Sequence, residues 1–226
     1  MKIEDRINYH FQNKELLKEA LSHPSLSSEI RPAPPDNQRL EYLGDAVIEL
    51  TVSSYLYHRF PDFKEGPLTK LRASVVSRPA LANAARSISL GETLFMSNGE
   101  AGSGGRKRDS NLADAFESIA GAIYLDGGLD AAREFILTLL APQLDNLNPT
   151  RARGNAKGEL QELLQKKSPK SPVYRVLSES GPPHDRTYVC AVIWNDCEIG
   201  QGSGSSKKMA EAEAARVALE ARCWER

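Results

Sequence analysis

An all-α domain followed by a small α+β domain is the fold class this sequence predicts, and three observations predict it. Up to about residue 147, apolar residues recur at intervals of three and four. Beyond that point, short stretches rich in β-branched and aromatic residues take over. Between the two textures lies "LNPTRARGN", a run of structure breakers. With 226 residues and 40% hydrophobic content, the chain can bury the core of one large domain or of two smaller ones.

The helical pattern runs through "KELLKEALSH", "LEYLGDAVIELTVSSYLYHRF", "LTKLRASVVSRPALANAARSI" and "LADAFESIAGAIYLDGGLDAAREFILTLLAPQL". Proline, glycine and asparagine interrupt it at "RPAPPDN", "PDFKEGP" and "SNGEAGSGGRKRDS". In the second part, "AKGELQELLQKK" reads as a helix, "VYRVLSESG", "TYVCAVIWN" and "CEIGQG" as strands, and "SSKKMAEAEAARVALEAR" as a closing helix. The order is α-β-β-β-α, in which each strand turns one face to the two helices and the other to solvent.

Composition narrows the function classes. No apolar signal core opens the chain and no stretch reaches the length of a membrane span, so a soluble, cytoplasmic protein without a membrane partner is expected. Cys190, Cys197 and Cys223 are odd in number and lack CxxC spacing, and the four histidines are scattered, which argues against a zinc site or a disulfide framework. Cys190 and Cys197 could approach each other on neighbouring strands, but packed reduced thiols are expected. Net charge is −1 overall, yet −4 before residue 150 and +3 after it. An acidic domain beside a basic one is compatible with a metal-dependent site next to a polyanion grip, and equally with ordinary surface variation.

The informative residues are acids. Glu41 and Asp45 are spaced i,i+4 and Asp114 and Glu117 i,i+3, so each pair projects from one face of its helix. A single such pair reads most simply as a solvated face. Both pairs, however, are embedded in apolar sequence, "LEYLGDAVI" and "ADAFESIAGAIYL", and burying like charges together is unfavourable unless a cation neutralises them. Each pair also has a glycine within a turn of it, Gly44 and Gly121, at a helix-interior position where glycine costs about 1 kcal/mol relative to alanine. Two helices crossing at their glycines would bring the four carboxylates together. Oxygen donors without sulfur or imidazole suit Mg²⁺, or Mn²⁺ in its place, and such ions serve in-line displacement at phosphorus.

These residues resemble the bacterial ribonuclease III family. "NQRLEYLGDAVIEL" is similar to its signature, and "EGPLTKLRASVV", "GGRKRDSNLADAFESIAGAIYLDGG" and the α-β-β-β-α tail are similar to its other blocks in the same order. The resemblance implies a catalytic domain over residues 1–147, a linker over 148–153 and a double-stranded RNA-binding domain over 154–226. It implies a homodimer whose helical domains form a valley for double-stranded RNA, with Glu41, Asp45, Asp114 and Glu117 holding Mg²⁺ and no organic cofactor. Asp45 and Glu117 would be tied most closely to water activation. Each subunit would cut one strand, leaving 5′-phosphate and 3′-hydroxyl ends with short 3′ overhangs. Ribosomal RNA precursors and structured transcripts are the implied substrates.

Further positions follow from the same resemblance. Tyr42 matches an aromatic at the dimer interface, although an ordinary core aromatic fits the pattern as well. Glu65 matches an acid at the valley edge, and also fits a helix start favoured by the dipole. Gln38 stands where a glutamate is often found, and glutamine keeps the hydrogen-bonding shape without the charge. Gly158 stands where relatives often have threonine.

"GSGSSKKMAEAEAA" places Lys207 and Lys208 in the first turn of a helix, an arrangement suited to an anion but common on solvated helices. Such domains read A-form geometry across two minor grooves and the phosphates between them. By resemblance Gln161, Glu162 and Gln165 face one minor groove, Pro183 and His184 the next, and the two lysines the phosphates. As plain sequence, the glutamines could be exposed helix formers and His184 a turn residue. The glycine-rich loop carrying Arg106 and Arg108 could be disordered or could close on a substrate phosphate, and the resemblance favours closure. Two other classes stay open: a non-cleaving RNA-binding protein, disfavoured because all four acids are present, and a structural ribosome-associated protein, disfavoured because both acids and linker are kept.

Overall fold

The computed structural model describes residues 2–147, 156–182, 186–222 and 224. The expected linker at 148–153, Pro183, His184 and Cys223 lie outside the described residues. The chain divides into two compact units, Met1–Ala152 and Arg153–Arg226.

The first unit is helical, as expected. Its helices are α1 (Ile3–Ile7), α2 (Lys14–Ala20), α3 (Gln38–Arg59), α4 (Glu65–Val75), α5 (Arg78–Ser87), α6 (Asn98–Gly102), α7 (Asp109–Leu139) and α8 (Ala141–Asp145). The stretch read as one helix from Leu68 to Ile88 is two, because Ser77 adopts an extended conformation and Pro79 starts α5 afresh. The stretch before Asp109, read as a loop, contains the short helix α6, which Ser97 caps by accepting from the Glu100 amide at 3.2 Å. Within α7, Gly128 sits at φ 82°, in the left-handed region, and divides the helix into two segments at "LDGGLD".

The first segment of α7 is apolar on nearly all sides: Leu112, Ala113, Ala115, Phe116, Ile119, Ala120, Ala122 and Ile123 are buried. A helix apolar all round belongs at the centre of its domain. Against it lies α3, which presents Leu40, Val47, Ile48, Val52 and Leu56. The two backbones touch where they cross. A Cβ on Gly44 would collide with the Glu117 carbonyl, and one on Gly121 would collide with the Leu40 carbonyl. Ser118, fully buried, ties the same region by donating to the Asn37 carbonyl at 3.1 Å and the Asp114 carbonyl at 2.7 Å. Farther along α7, Asp126 accepts from the Tyr9 hydroxyl (2.8 Å) and the amides of Gln12 (2.8 Å) and Asn13 (2.9 Å), which anchors the start of α2. Partial burial works against its ionisation, but the three donors outweigh that and hold its pKa below the usual value.

In the second unit, α9 (Ala156–Gln165) and α10 (Lys207–Ala221) pack on an antiparallel sheet of β1 (Val173–Ser180), β2 (Thr187–Trp194) and β3 (Cys197–Gly204), in the order β1-β2-β3. Leu160 and Leu164 of α9 meet Val192, Ile199, Ala214, Ala215 and Ala218 in a separate core. The backbone of β3 at Gly202 lies directly against α10, leaving no room for a side chain. Asn195 and Asp196, both at positive φ, make the two-residue turn between β2 and β3. Cys190 is buried opposite Gly202 and Cys197 opens β3 on the surface; both are free thiols. No described helix is long and apolar enough to cross a membrane.

Gly44→Ala is expected to destabilise the first unit by about 3 kcal/mol or more, because the added methyl must separate two backbones. Gly66→Ala in α4, where a Cβ meets nothing within 4 Å, is expected to be neutral or stabilising by up to about 1 kcal/mol. Thermal denaturation followed by circular dichroism compares the two.

Candidate functional site

The crossing of α3 and α7 places Glu41 beside Asp114 and Glu117, all three half-buried, with one oxygen from each lying within 4.8 Å of the others. Asp45, one turn farther along α3, is exposed and stands outside that set. Its charge nonetheless acts on Glu41 and on Glu117. The structure thus gathers three of the four acids singled out in the sequence and sets the fourth beside them.

Burial and mutual repulsion govern their ionisation. Glu117 is pushed up to about 8, first by loss of solvent and then by the charges of Asp45, Asp114 and Glu41. Glu41 is raised by burial and by Asp114 and Asp45. Asp114 is raised by burial, against which Arg78 and His23 act in the opposite sense. A compact set of hard oxygen donors that repel one another is suited to an Mg²⁺-type cation, which would relieve both effects at once.

Of the surrounding positions, Gln38 is exposed at the start of α3, its backbone N–H donating to the Asp36 carboxylate at 3.1 Å. Tyr42 is 84% exposed, so it is not a core aromatic of this chain. Glu65, the exposed first residue of α4, lines a pocket of about 380 Å³ with Ser53, Leu56, Tyr57, Phe63 and Arg72. The two basic-loop arginines both have intramolecular partners, Arg106 half-buried and Arg108 at the surface. Arg106 donates to the carbonyls of Gly91 (3.1 Å) and Leu94 (2.6 Å), and Arg108 pairs with Glu100 at 2.5 Å. The loop is therefore ordered: Gly105–Lys107 forms a 3-10 turn, and Asn111 donates to the Gly105 carbonyl at 3.1 Å.

In the second unit Gln161, Glu162 and Gln165 lie exposed on the side of α9 away from buried Leu160 and Leu164. Lys207 and Lys208 are exposed in the first turn of α10, which Ser206 caps by accepting from the Met209 amide at 3.3 Å. The Lys207 ammonium lies 5.8 Å from the centre of the Tyr188 ring. Arg78, His23 and Ser118 also act on or support this cluster, outside the paired-acid spacing of the sequence. Only Ser118 carries a local signal, as a lone hydroxyl inside the apolar run "FESIAGA".

A helical domain with a clustered acidic site, joined to a small domain with a basic helix start, defines a nuclease-like class of protein. Residues 13–144 match the family model described as Ribonuclease-III-like, and residues 156–221 match the double-stranded RNA binding motif. The chain is 48% identical over 220 residues to "Ribonuclease 3" of Desulforamulus reducens, spanning 97% of this chain and 89% of that one. It is 46% identical over 218 residues to "Ribonuclease 3" of Pelotomaculum thermopropionicum, spanning 96% and 90%. A solved nuclease domain of ribonuclease III from Campylobacter jejuni, described as flexible in a region involved in dimer formation, is 40% identical with a TM-score of 0.59, covering 63% of this chain and 96% of that one. The chain belongs to the ribonuclease III family.

A pH dependence follows from Glu117. Its folded pKa of about 8 lies above the unfolded value of 4.5, so between these pH values the folded state holds a proton that the unfolded state has lost. The contribution to stability is complete at the acid end and declines as pH rises through the window. With divalent ions chelated, the Tm is expected to fall from about pH 5 to about pH 8. Glu117→Gln should flatten that slope and raise the Tm at the upper end by roughly 3 °C, measured by calorimetry.

Proposed function

We infer that this chain is an endoribonuclease of double-stranded RNA, leaving 5′-phosphate and 3′-hydroxyl ends with short 3′ overhangs, and that ribosomal RNA precursors and structured transcripts are its substrates. One observation carries the reading beyond family membership: Glu41, Asp114 and Glu117 converge within 4.8 Å at a backbone crossing, with Asp45 beside them.

In this reading Glu41, Asp45, Asp114 and Glu117 hold Mg²⁺, or Mn²⁺ in its place. A cation bound there would supply activation of a water and charge neutralisation at the phosphate. The acids themselves would frame the reacting centre, because they project from two helices whose backbones meet at Gly44 and Gly121. Asp45, exposed at the edge, is the acid most open to solvent and substrate. Lys207 and Lys208 grip phosphates, Gln161, Glu162 and Gln165 read one minor groove, and Pro183 and His184 reach the next. Gln38 and Glu65 border the RNA path. Because Arg106 and Arg108 have internal partners, their part is to shape the loop that opens α7 and to leave its surface to the substrate.

The reading includes a homodimer, with each subunit cutting one strand. It is supported by α3, where Tyr42 (84% exposed), Leu50 (57%) and Tyr57 (67%) fall on one side of the helix and present an open apolar stripe. A second copy would cover it. Tyr42→Asp is expected to raise the dimer dissociation constant roughly tenfold or more, read by sedimentation equilibrium.

The deciding experiment is cleavage of an end-labelled RNA hairpin in Mg²⁺, with single-stranded RNA and duplex DNA as controls. Duplex RNA alone should be cut. Glu117→Gln should lower the rate by about 1,000-fold or more while duplex affinity stays within about twofold. A variant that cuts as fast as the parent would remove Glu117 from the site.

A further inference from the structure

Arg78 is the first residue of α5, and its charge acts on Glu41, Asp114 and Glu117 alike. Its position follows from how α5 lies on α7. At the far end of α5, Arg86 donates to Asp109, the first residue of α7, and to the Lys107 carbonyl at 3.2 Å. The step from Arg86 back to Arg78 equals the step from Asp109 forward to Glu117, about 12 Å at 1.5 Å per residue. With α5 packed along α7 and its far end fixed at Asp109, this matching step is consistent with Arg78 lying near Glu117, on which its charge acts.

Four other arginines of this unit have intramolecular partners. Arg72 donates to Ser53, Arg86 to Asp109, Arg106 to loop carbonyls and Arg108 to Glu100. Arg78 is exposed and makes no hydrogen bond or ion pair among the described residues. A guanidinium is permanently charged, and its planar fork matches two oxygens of a phosphate. Four acids facing a polyanion repel it, and a free cation at the rim of the cluster offsets that repulsion where the backbone must approach most closely.

We propose that Arg78 grips the non-bridging oxygens of the RNA phosphate at the cut and so sets the phosphodiester in register over the carboxylates. This rests on the endoribonuclease reading and adds a substrate contact to it. In this role Arg78 contacts the substrate through its N–H donors and transfers no proton.

The test uses the full chain with Arg78→Gln and Arg78→Lys. Single-turnover cleavage of the hairpin is measured across an Mg²⁺ titration. Duplex affinity against salt is measured in a Glu117→Gln background, where binding is read without cutting. Arg78→Gln should slow cleavage at saturating Mg²⁺ by roughly 10- to 100-fold. It should also lower the salt dependence of binding by about one released ion. Arg78→Lys should recover part of the rate, since an ammonium keeps the charge without the fork. If Arg78→Gln cuts at the parental rate once Mg²⁺ saturates, and only the Mg²⁺ half-saturation point moves, Arg78 is an internal counter-charge and the proposal fails while the nuclease reading stands. A parent protein that cuts nothing in Mg²⁺ or Mn²⁺ would overturn both.

Discussion

The first unit is organised by the contact between the backbones of α3 and α7 at Gly44 and Gly121. Neither position has room for a methyl group, so the helices approach more closely than side-chain packing allows. This closeness fixes what can lie on either side of the crossing. Toward the core Val47, Ile48, Phe116 and Ile119 are buried in one cluster, and toward the surface Glu41, Asp114 and Glu117 come to within 4.8 Å of one another. One geometric constraint therefore serves both stability and site.

The same closeness creates electrostatic tension. Glu117 loses solvent and faces three other acids, and its pKa rises to about 8, far from an ordinary carboxylate. A core that holds such a group in place must be rigid around it. The buried hydroxyl of Ser118 bonded to both Asn37 and Asp114, the loop drawn in by Arg106, and the Arg86–Asp109 pair at the start of α7 supply that rigidity. Sites with strongly displaced pKa values and a supporting frame are where chemistry is concentrated.

The second unit solves a different problem with similar means. Its core is small, and alanines on α10 together with Gly202 on β3 let helix and sheet close tightly around Leu160, Leu164, Val192 and Ile199. Because the interior is filled by so few side chains, the outward side of α9 and the first turn of α10 are left to polar and basic residues. Lys207 and Lys208, exposed in that first turn, thus ask nothing of the core.

Much of this was legible in the sequence, for a physical reason. Helix periodicity, strand composition and the spacing of Glu41 with Asp45 and of Asp114 with Glu117 are local properties, and local geometry sets which residues share a face. The two interior glycines pointed to a close crossing because a helix tolerates glycine there only for a compensating contact. What the chain could not show were relations between distant segments. The exposure of Tyr42 depends on what else packs near α3, the internal partners of Arg106 and Arg108 depend on where residues 91–100 run, and the break at Gly128 depends on the path α7 must take around the core. Arg78 is the clearest case. Its segment carries no sequence signal, and only the packing of α5 along α7 brings its charge to the acids, because Coulomb forces act through space and not along the chain.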